Sequence, residues 1–240
     1  MRFGWRARIG QLRPATAIES SEEWRSVTPA GVAFIDGRTM VRTVDEKGLE
    51  EMMSQVVDEA CKVASARADV IVQCGAPGIF LKGPGYDDEV IRNIHEATGV
   101  KATTMMNAMI AAMTALRMTR VAVGSIYIES VNAKLTSYIE MCGFSVTATK
   151  ALGIIKPEDC IDHEPDTAYR LGREVFAAAP GADGILISCG GLRSFEVIEA
   201  LERDTGVPVV TSNQAALWQA LRMVNVPDRI PNLGRLLRDH

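Results

Sequence analysis

The sequence predicts an α/β protein of two similar lobes, each a parallel sheet with helices on both faces, and a cleft between them. Three observations predict it. Apolar, β-branched runs alternate along the whole chain with segments of helical apolar spacing, the pattern of parallel sheets covered by helices. The run Ile185-Leu186-Ile187-Ser188-Cys189-Gly190 repeats the layout of Val70-Ile71-Val72-Gln73-Cys74-Gly75: apolar strand, polar residue, cysteine, glycine. What flanks these runs also recurs in order. Thr98-Gly99-Val100 is matched by Thr205-Gly206-Val207, and Ala115-Leu116-Arg117-Met118 by Ala220-Leu221-Arg222-Met223, the mark of an old duplication. Residues 1–117 with 215–240 are expected to form the lobe carrying Cys74, and 118–214 the lobe carrying Cys189. A pseudo-twofold between the lobes would set the two thiols on opposite sides of one cleft.

Taken in order, Ile9 to Pro14 reads as a short strand stopped by its proline. Ala15-Thr16-Ala17 then forms a loop at the sheet edge that holds Cys74. Val32 to Ile35 is the second strand and 37–40 the loop after it. A helix spans 49–66, with Met52, Met53, Val56, Val57, Ala60 and Val63 on its apolar side. Beyond the Cys74 strand, 78–85 holds Gly78, Gly83, Pro84 and Gly85 and reads as an irregular surface loop. Helix 87–98, strand 101–104 and helix 107–117 complete the first repeat, with Met105, Met106, Met109 and Met113 as core filling. The second repeat runs strand 121–124, loop 125–127, helix 131–142 stopped by Gly143, strand 144–148, loop 151–157 and helix 167–178. After the Cys189 strand, Phe195, Val197, Ile198 and Leu201 recur at helical spacing. Strand 207–211 and helix 213–224 follow.

At 240 residues the chain can bury a full core, and 47% hydrophobic with 23% charged residues is ordinary for a globular protein. A net charge of −4 with no basic run excludes an electrostatic nucleic-acid or anionic-membrane surface. No apolar run approaches a membrane span, and the arginines near the start precede no apolar signal core, so a cytoplasmic protein is expected. The composition leaves a homo-oligomer open. The five cysteines follow no framework spacing and read as reduced thiols.

Cofactor signals are lacking: there is neither a dinucleotide G-x-G-x-x-G nor a phosphate-loop pattern, and no cofactor is expected. His95, His163 and His240 are scattered, Cys160 with His163 makes only two ligands, and no metal is expected. Cys61 and Cys142 lie inside helices and read as buried structural thiols. Cys74 and Cys189 differ because both end strands, where open α/β sheets bind ligands. Amides of a helix beginning just after Cys189 would lower its pKa and make it a reactive thiolate. Two thiols on either side of a carbon centre suit proton removal on one face and donation on the other. The amides of Gly75 and Gly190, with the hydroxyls of Tyr127, Thr16 or Ser188, would stabilise the intermediate anion.

These residues resemble the cofactor-independent aspartate/glutamate racemase superfamily. Within it the chain is similar to the branch of maleate cis-trans isomerases, ectoine-utilisation EutA-type proteins and arylmalonate decarboxylases. The resemblance runs from about Ile9 to Leu237. It is carried by Ile9-Gly10 with Pro14, the Tyr127 loop, Ala151-Leu152-Gly153-Ile154, Ile187-Ser188-Cys189-Gly190-Gly191-Leu192 and Pro208-Val209-Val210-Thr211-Ser212-Asn213. It implies two flavodoxin-like (Rossmann-like) lobes with the site between them, a catalytic Cys189, and a carboxylate or enediolate held by Tyr127 and backbone amides. Arylmalonate decarboxylases have a glycine where Cys74 falls, whereas isomerases and racemases have their second cysteine there. Ala17 takes the place of an isomerase asparagine, and Gly75 and Ala76 that of decarboxylase hydroxyl residues, which points to an acid less polar than maleate.

The reading of the sequence is therefore a cofactor-free isomerase or racemase of a small carboxylic acid. Cys74 and Cys189 are its catalytic pair, and Pro14, Thr16, Gly75, Ala76, Tyr127, Ser188 and Gly190 surround the substrate. The nearest alternative is an arylmalonate-type decarboxylase in which Cys189 protonates an enediolate. A two-lobed small-acid binding protein without catalysis is the alternative from another class.

Overall fold

The computed structural model describes residues 3–240. Its first half runs β1 (Ala7–Pro14), α1 (Ile18–Val27), β2 (Val32–Thr39), α2 (Glu46–Ser54), α3 (Val56–Ser65), β3 (Val70–Gln73), α4 (Ala76–Phe80), α5 (Tyr86–Thr98), β4 (Lys101–Thr104) and α6 (Met105–Ala115). The second half runs β5 (Arg120–Ser125), α7 (Glu129–Met141), β6 (Ser145–Ala151), α8 (Pro165–Ala177), β7 (Gly184–Ser188), α9 (Ile198–Thr205), β8 (Val209–Thr211), α10 (Ser212–Met223) and α11 (Gly234–Asp239).

The strands make two four-stranded parallel sheets, ordered β2-β1-β3-β4 and β6-β5-β7-β8. The second order repeats the first, as the duplicated sequence layout requires. Strands β3 and β7 are buried along their whole length, and their runs of Val, Ile and Leu are what a central parallel strand needs on both faces. Gly10 lets the α3 helix lie close on β1, since a Cβ there would meet Val63 Cγ1 at 2.3 Å. The helices after the last strand of each sheet begin alike. Thr104 caps α6 by accepting from the Asn107 amide at 3.0 Å, and Thr211 caps α10 in a reciprocal box with Gln214. These two helices pack against each other, joining the halves.

Several elements differ from the sequence reading. The helix expected over 49–66 is two helices, α2 and α3, parted at Gln55. The Gln55 side chain brackets the backbone of Met40, accepting from its amide at 2.8 Å and donating to its carbonyl at 3.1 Å. The irregular loop of 78–85 is entered through a short helix, α4, with Pro77 in its first turn, where its missing N–H costs nothing. Strand β2 runs on through residues 37–39, which were expected to be a loop, and β6 runs on past 148 to 151, the first residue of the loop expected there. Helices α1 and α11 were not foreseen. Cys61 is exposed on α3 and Cys142 half-buried at the end of α7, so neither is the buried structural thiol expected. Among the described residues no helix is long and apolar enough to cross a membrane.

Candidate active site

The loops leaving the carboxyl ends of β1, β3, β5 and β7 converge on one cleft of about 590 Å³, its open mouth included. Cys74 and Cys189 both line it, one from the end of each central strand, and both are buried. The two strand ends come close: a Cβ on Gly190 would stand 3.6 Å from the Cys74 carbonyl oxygen. Pro14, Thr16, Gly75, Ala76, Tyr127 and Gly190 line the same cleft. Ser188 does not. It is the last residue of β7, wholly buried, and its Oγ lies behind the wall, 3.4 Å from the Tyr127 hydroxyl. Side chains alternate across a strand, so neighbours 188 and 189 turn to different sides.

The remaining wall was not picked out by the sequence. Val41, Val44, Leu49 and Met52 come from the segment after β2, and Pro157 and Cys160 from a 3₁₀ turn at Pro157–Cys160 after β6. These two segments occupy equivalent places in the halves, and they meet: the Val44 amide donates to the Ile155 carbonyl at 2.8 Å. Val41 and Val44 belong to an apolar spacing too short to read as an element. Cys160 carries no pattern linking it to a residue 29 positions away.

A family model described as arylmalonate decarboxylase matches residues 9–237. The chain belongs to that family. It is 33% identical over 229 residues to the arylmalonate decarboxylase of Bordetella bronchiseptica, covering 95% of each chain. It is 27% identical over 248 residues to the maleate isomerase of Nocardia farcinica, covering 96% of this chain and 95% of that one. Among solved structures, a liganded arylmalonate decarboxylase with one Gly-to-Cys and one Cys-to-Ser exchange superposes with a TM-score of 0.90 at 31% identity, covering 96% and 98% of the two chains. The chain is thus an enzyme of the isomerase or decarboxylase type, and its two parallel four-stranded sheets are those of the arylmalonate decarboxylase fold.

In this arylmalonate decarboxylase family member the two thiols sit in different electrostatic settings. The segment after Cys189 is not a helix start. It is a loop leading to a 3₁₀ turn at Phe195–Val197 and only then to α9. The Gly191 amide lies 3.2 Å from the Cys189 sulfur and pulls its pKa down, as does the Leu192 amide. The adjoining Cys160 thiol and burial outweigh them, so Cys189 is pushed above the ordinary thiol value while the same contact pulls Cys160 down, contrary to the lowered Cys189 pKa expected. Burial pushes Cys74 above the ordinary thiol value as well, although the guanidinium of Arg13 and then that of Arg38 pull against it. Tyr127 is pushed up by burial and stays a neutral donor, its ring edge-on to Phe80 at 5.6 Å between centroids. The cleft wall is otherwise largely apolar, which suits an acid with a hydrocarbon substituent.

Proposed function

We propose that the protein is a cytosolic, cofactor-free isomerase or racemase of a small carboxylic acid, with Cys74 and Cys189 as paired catalytic thiols. The observation that carries this is that both sulfur-bearing strand ends open on one cleft from the two halves of the fold. The working cleft lies between a lobe of residues 1–117 with 215–240 and a lobe of residues 118–214. In the maleate isomerase relative's reaction type, one thiolate adds to the double bond and its electron pair passes into the carboxylate. The carbon–carbon bond turns, and elimination returns the thiolate. In a racemisation, one sulfur removes the α proton and the other supplies a proton to the opposite face. Tyr127, Thr16 and the amides of Gly75, Ala76 and Gly190 hold the carboxylate, Pro14 shapes the wall, and Ser188 orients the Tyr127 hydroxyl.

Decarboxylation of a disubstituted malonate is the second reading. It is favoured by the match of residues 9–237 to the arylmalonate decarboxylase family model and by the 33% identity to the Bordetella bronchiseptica enzyme. The test is product analysis with maleate, α-aryl propionates and arylmalonates, by chiral chromatography and NMR in deuterated water. Cys74→Gly is expected to abolish isomerisation or racemisation and to leave decarboxylation of an arylmalonate, with one product hand. Isomerisation or racemisation at the unaltered rate in Cys74→Gly would show Cys74 to be a packed thiol only.

A further inference from the structure

Behind Cys74 the first sheet carries an arrangement that the proposed chemistry has not used. Strand register pairs Arg13 of β1 with Arg38 of β2. On the other side β1 pairs Leu12 with Gln73, and the Cys74 amide continues the ladder by donating to the Leu12 carbonyl at 2.8 Å. Continuing that register by one residue sets Cys74 beside Arg13, so that Arg38, Arg13 and Cys74 fall in one row across three neighbouring strands, which parallel pairing spaces about 4.8 Å apart. Two like charges placed directly opposite each other destabilise a sheet unless an anion offsets them.

Among the described residues, neither guanidinium touches a carboxylate. Arg13 is 1% exposed, donates from Nε to Gln11 Oε1 at 2.5 Å and from Nη1 to Asn213 Oδ1 at 3.3 Å, and stacks over Trp24 at 4.4 Å. Its Nη2 is buried with no partner. Arg38 donates to the Ala17 carbonyl and the Ser21 hydroxyl. The nearby carboxylates are engaged elsewhere. Asp36 accepts from Gln11 and pairs with Arg25, and Glu23 accepts from the amides of Ser194 and Phe195 and from Asn213. A buried cation with only neutral partners is costly to hold. Arg13 itself is not part of the cleft wall.

We propose that Arg13, backed by Arg38, is the built-in counter-ion of a Cys74 thiolate, and so a positioning residue that eases the ionisation of Cys74. This rests on the reading of Cys74 as a catalytic thiol. The charged groups facing Cys74 and Arg13 are Arg38, Asp36 and Glu23, and the variants below leave all three in place.

The experiment measures alkylation of each cysteine of the full chain by iodoacetamide against pH, resolved by peptide mass spectrometry, in the unaltered protein, Arg13→Met and Arg13→Lys. Arg13→Met should raise the Cys74 midpoint by about one pH unit or more, slowing its alkylation at pH 7.5 roughly tenfold, while Arg13→Lys stays within about threefold of the unaltered protein. The midpoint of exposed Cys61 should not move. An unchanged Cys74 midpoint in a folded Arg13→Met protein overturns the proposal. A second measurement needs no variant: the rate ratio of anionic iodoacetate to neutral iodoacetamide. It should be higher at Cys74 than at Cys61 by roughly threefold or more if an uncompensated cation lies behind Cys74, and a lower ratio overturns the proposal. None of these rates depends on turnover, so failure of the isomerase reading would leave them untouched.

Discussion

Replacing Tyr127 by phenylalanine removes one oxygen and little else. The ring is 2% exposed and held edge-on by Phe80, so the phenyl group keeps its place. The only protein partner of the hydroxyl among the described residues is Ser188 Oγ at 3.4 Å, long for an O–H···O bond. Its loss should cost no more than about 0.5 kcal/mol of stability, the low end for a hydrogen bond. Tyr127 lines the cleft, and a hydroxyl with so weak an internal partner is expected to bond a carboxylate that becomes more charged in the transition state. Losing that bond should lower kcat/KM by about 10- to 100-fold, or about 1.4–2.7 kcal/mol at 1.36 kcal/mol per decade. The assay pairs initial rates on an acid that the unaltered enzyme turns over with urea denaturation of both proteins. A kcat/KM within about twofold of the original would refute the reasoning, whatever the stability.

Three further outcomes are expected. Cys160→Ala removes the neighbour that raises Cys189, so the pH midpoint for Cys189 alkylation should fall; an unchanged midpoint would show that the two thiols do not interact. Glu23 is pushed up to about 7 by burial, against the pull of the Ser194, Phe195 and Asn213 donors. The folded state therefore binds more protons than the unfolded one between pH 4.5 and 7, and stability should fall across that window as pH rises, by about 3 kcal/mol at about 1.4 kcal/mol per unit. Urea titrations at several pH values should show that slope, and Glu23→Gln should flatten it. Gly10→Ala would drive a methyl group into Val63 Cγ1 at 2.3 Å and should cost about 1–3 kcal/mol by overpacking, read from the denaturation midpoint.

The strands and the two cysteines were legible because a central parallel strand has to be apolar on both faces, and because the same strand-end layout occurs twice. Helix α1 was hidden for the opposite reason: its buried positions are Ser20, Ser21, Glu23 and Trp24, of which only Trp24 is largely apolar, and Glu23 and Trp24 bond to Ser194, Phe195 and Asn213 far along the chain, so no apolar stripe marks it. Helix α11 is too short for periodicity to act. The break at Gln55 has no proline or glycine to announce it, since its cause is a tertiary bond to Met40. The electrostatics of the site were read less well than its position. That Cys189 would be near amides was foreseen, but Cys160 and burial, which decide its protonation, depend on a turn folding back over the strand end. The row Arg38–Arg13–Cys74 is invisible until strand register is known.

The hydrogen bond from Val44 to Ile155 ties the rims of the two halves above the cleft at one point. A single backbone bond of this kind is worth about 0.5–1.5 kcal/mol net. At the upper figure roughly one molecule in ten has it open at any instant, and at the lower figure closer to one in three. Taken alone, that bond would part often without any ligand to force it. The same arithmetic makes the rim a sensitive place to alter exchange with solvent, since one lost amide donor shifts the open population several-fold while leaving the sheets beneath it unchanged.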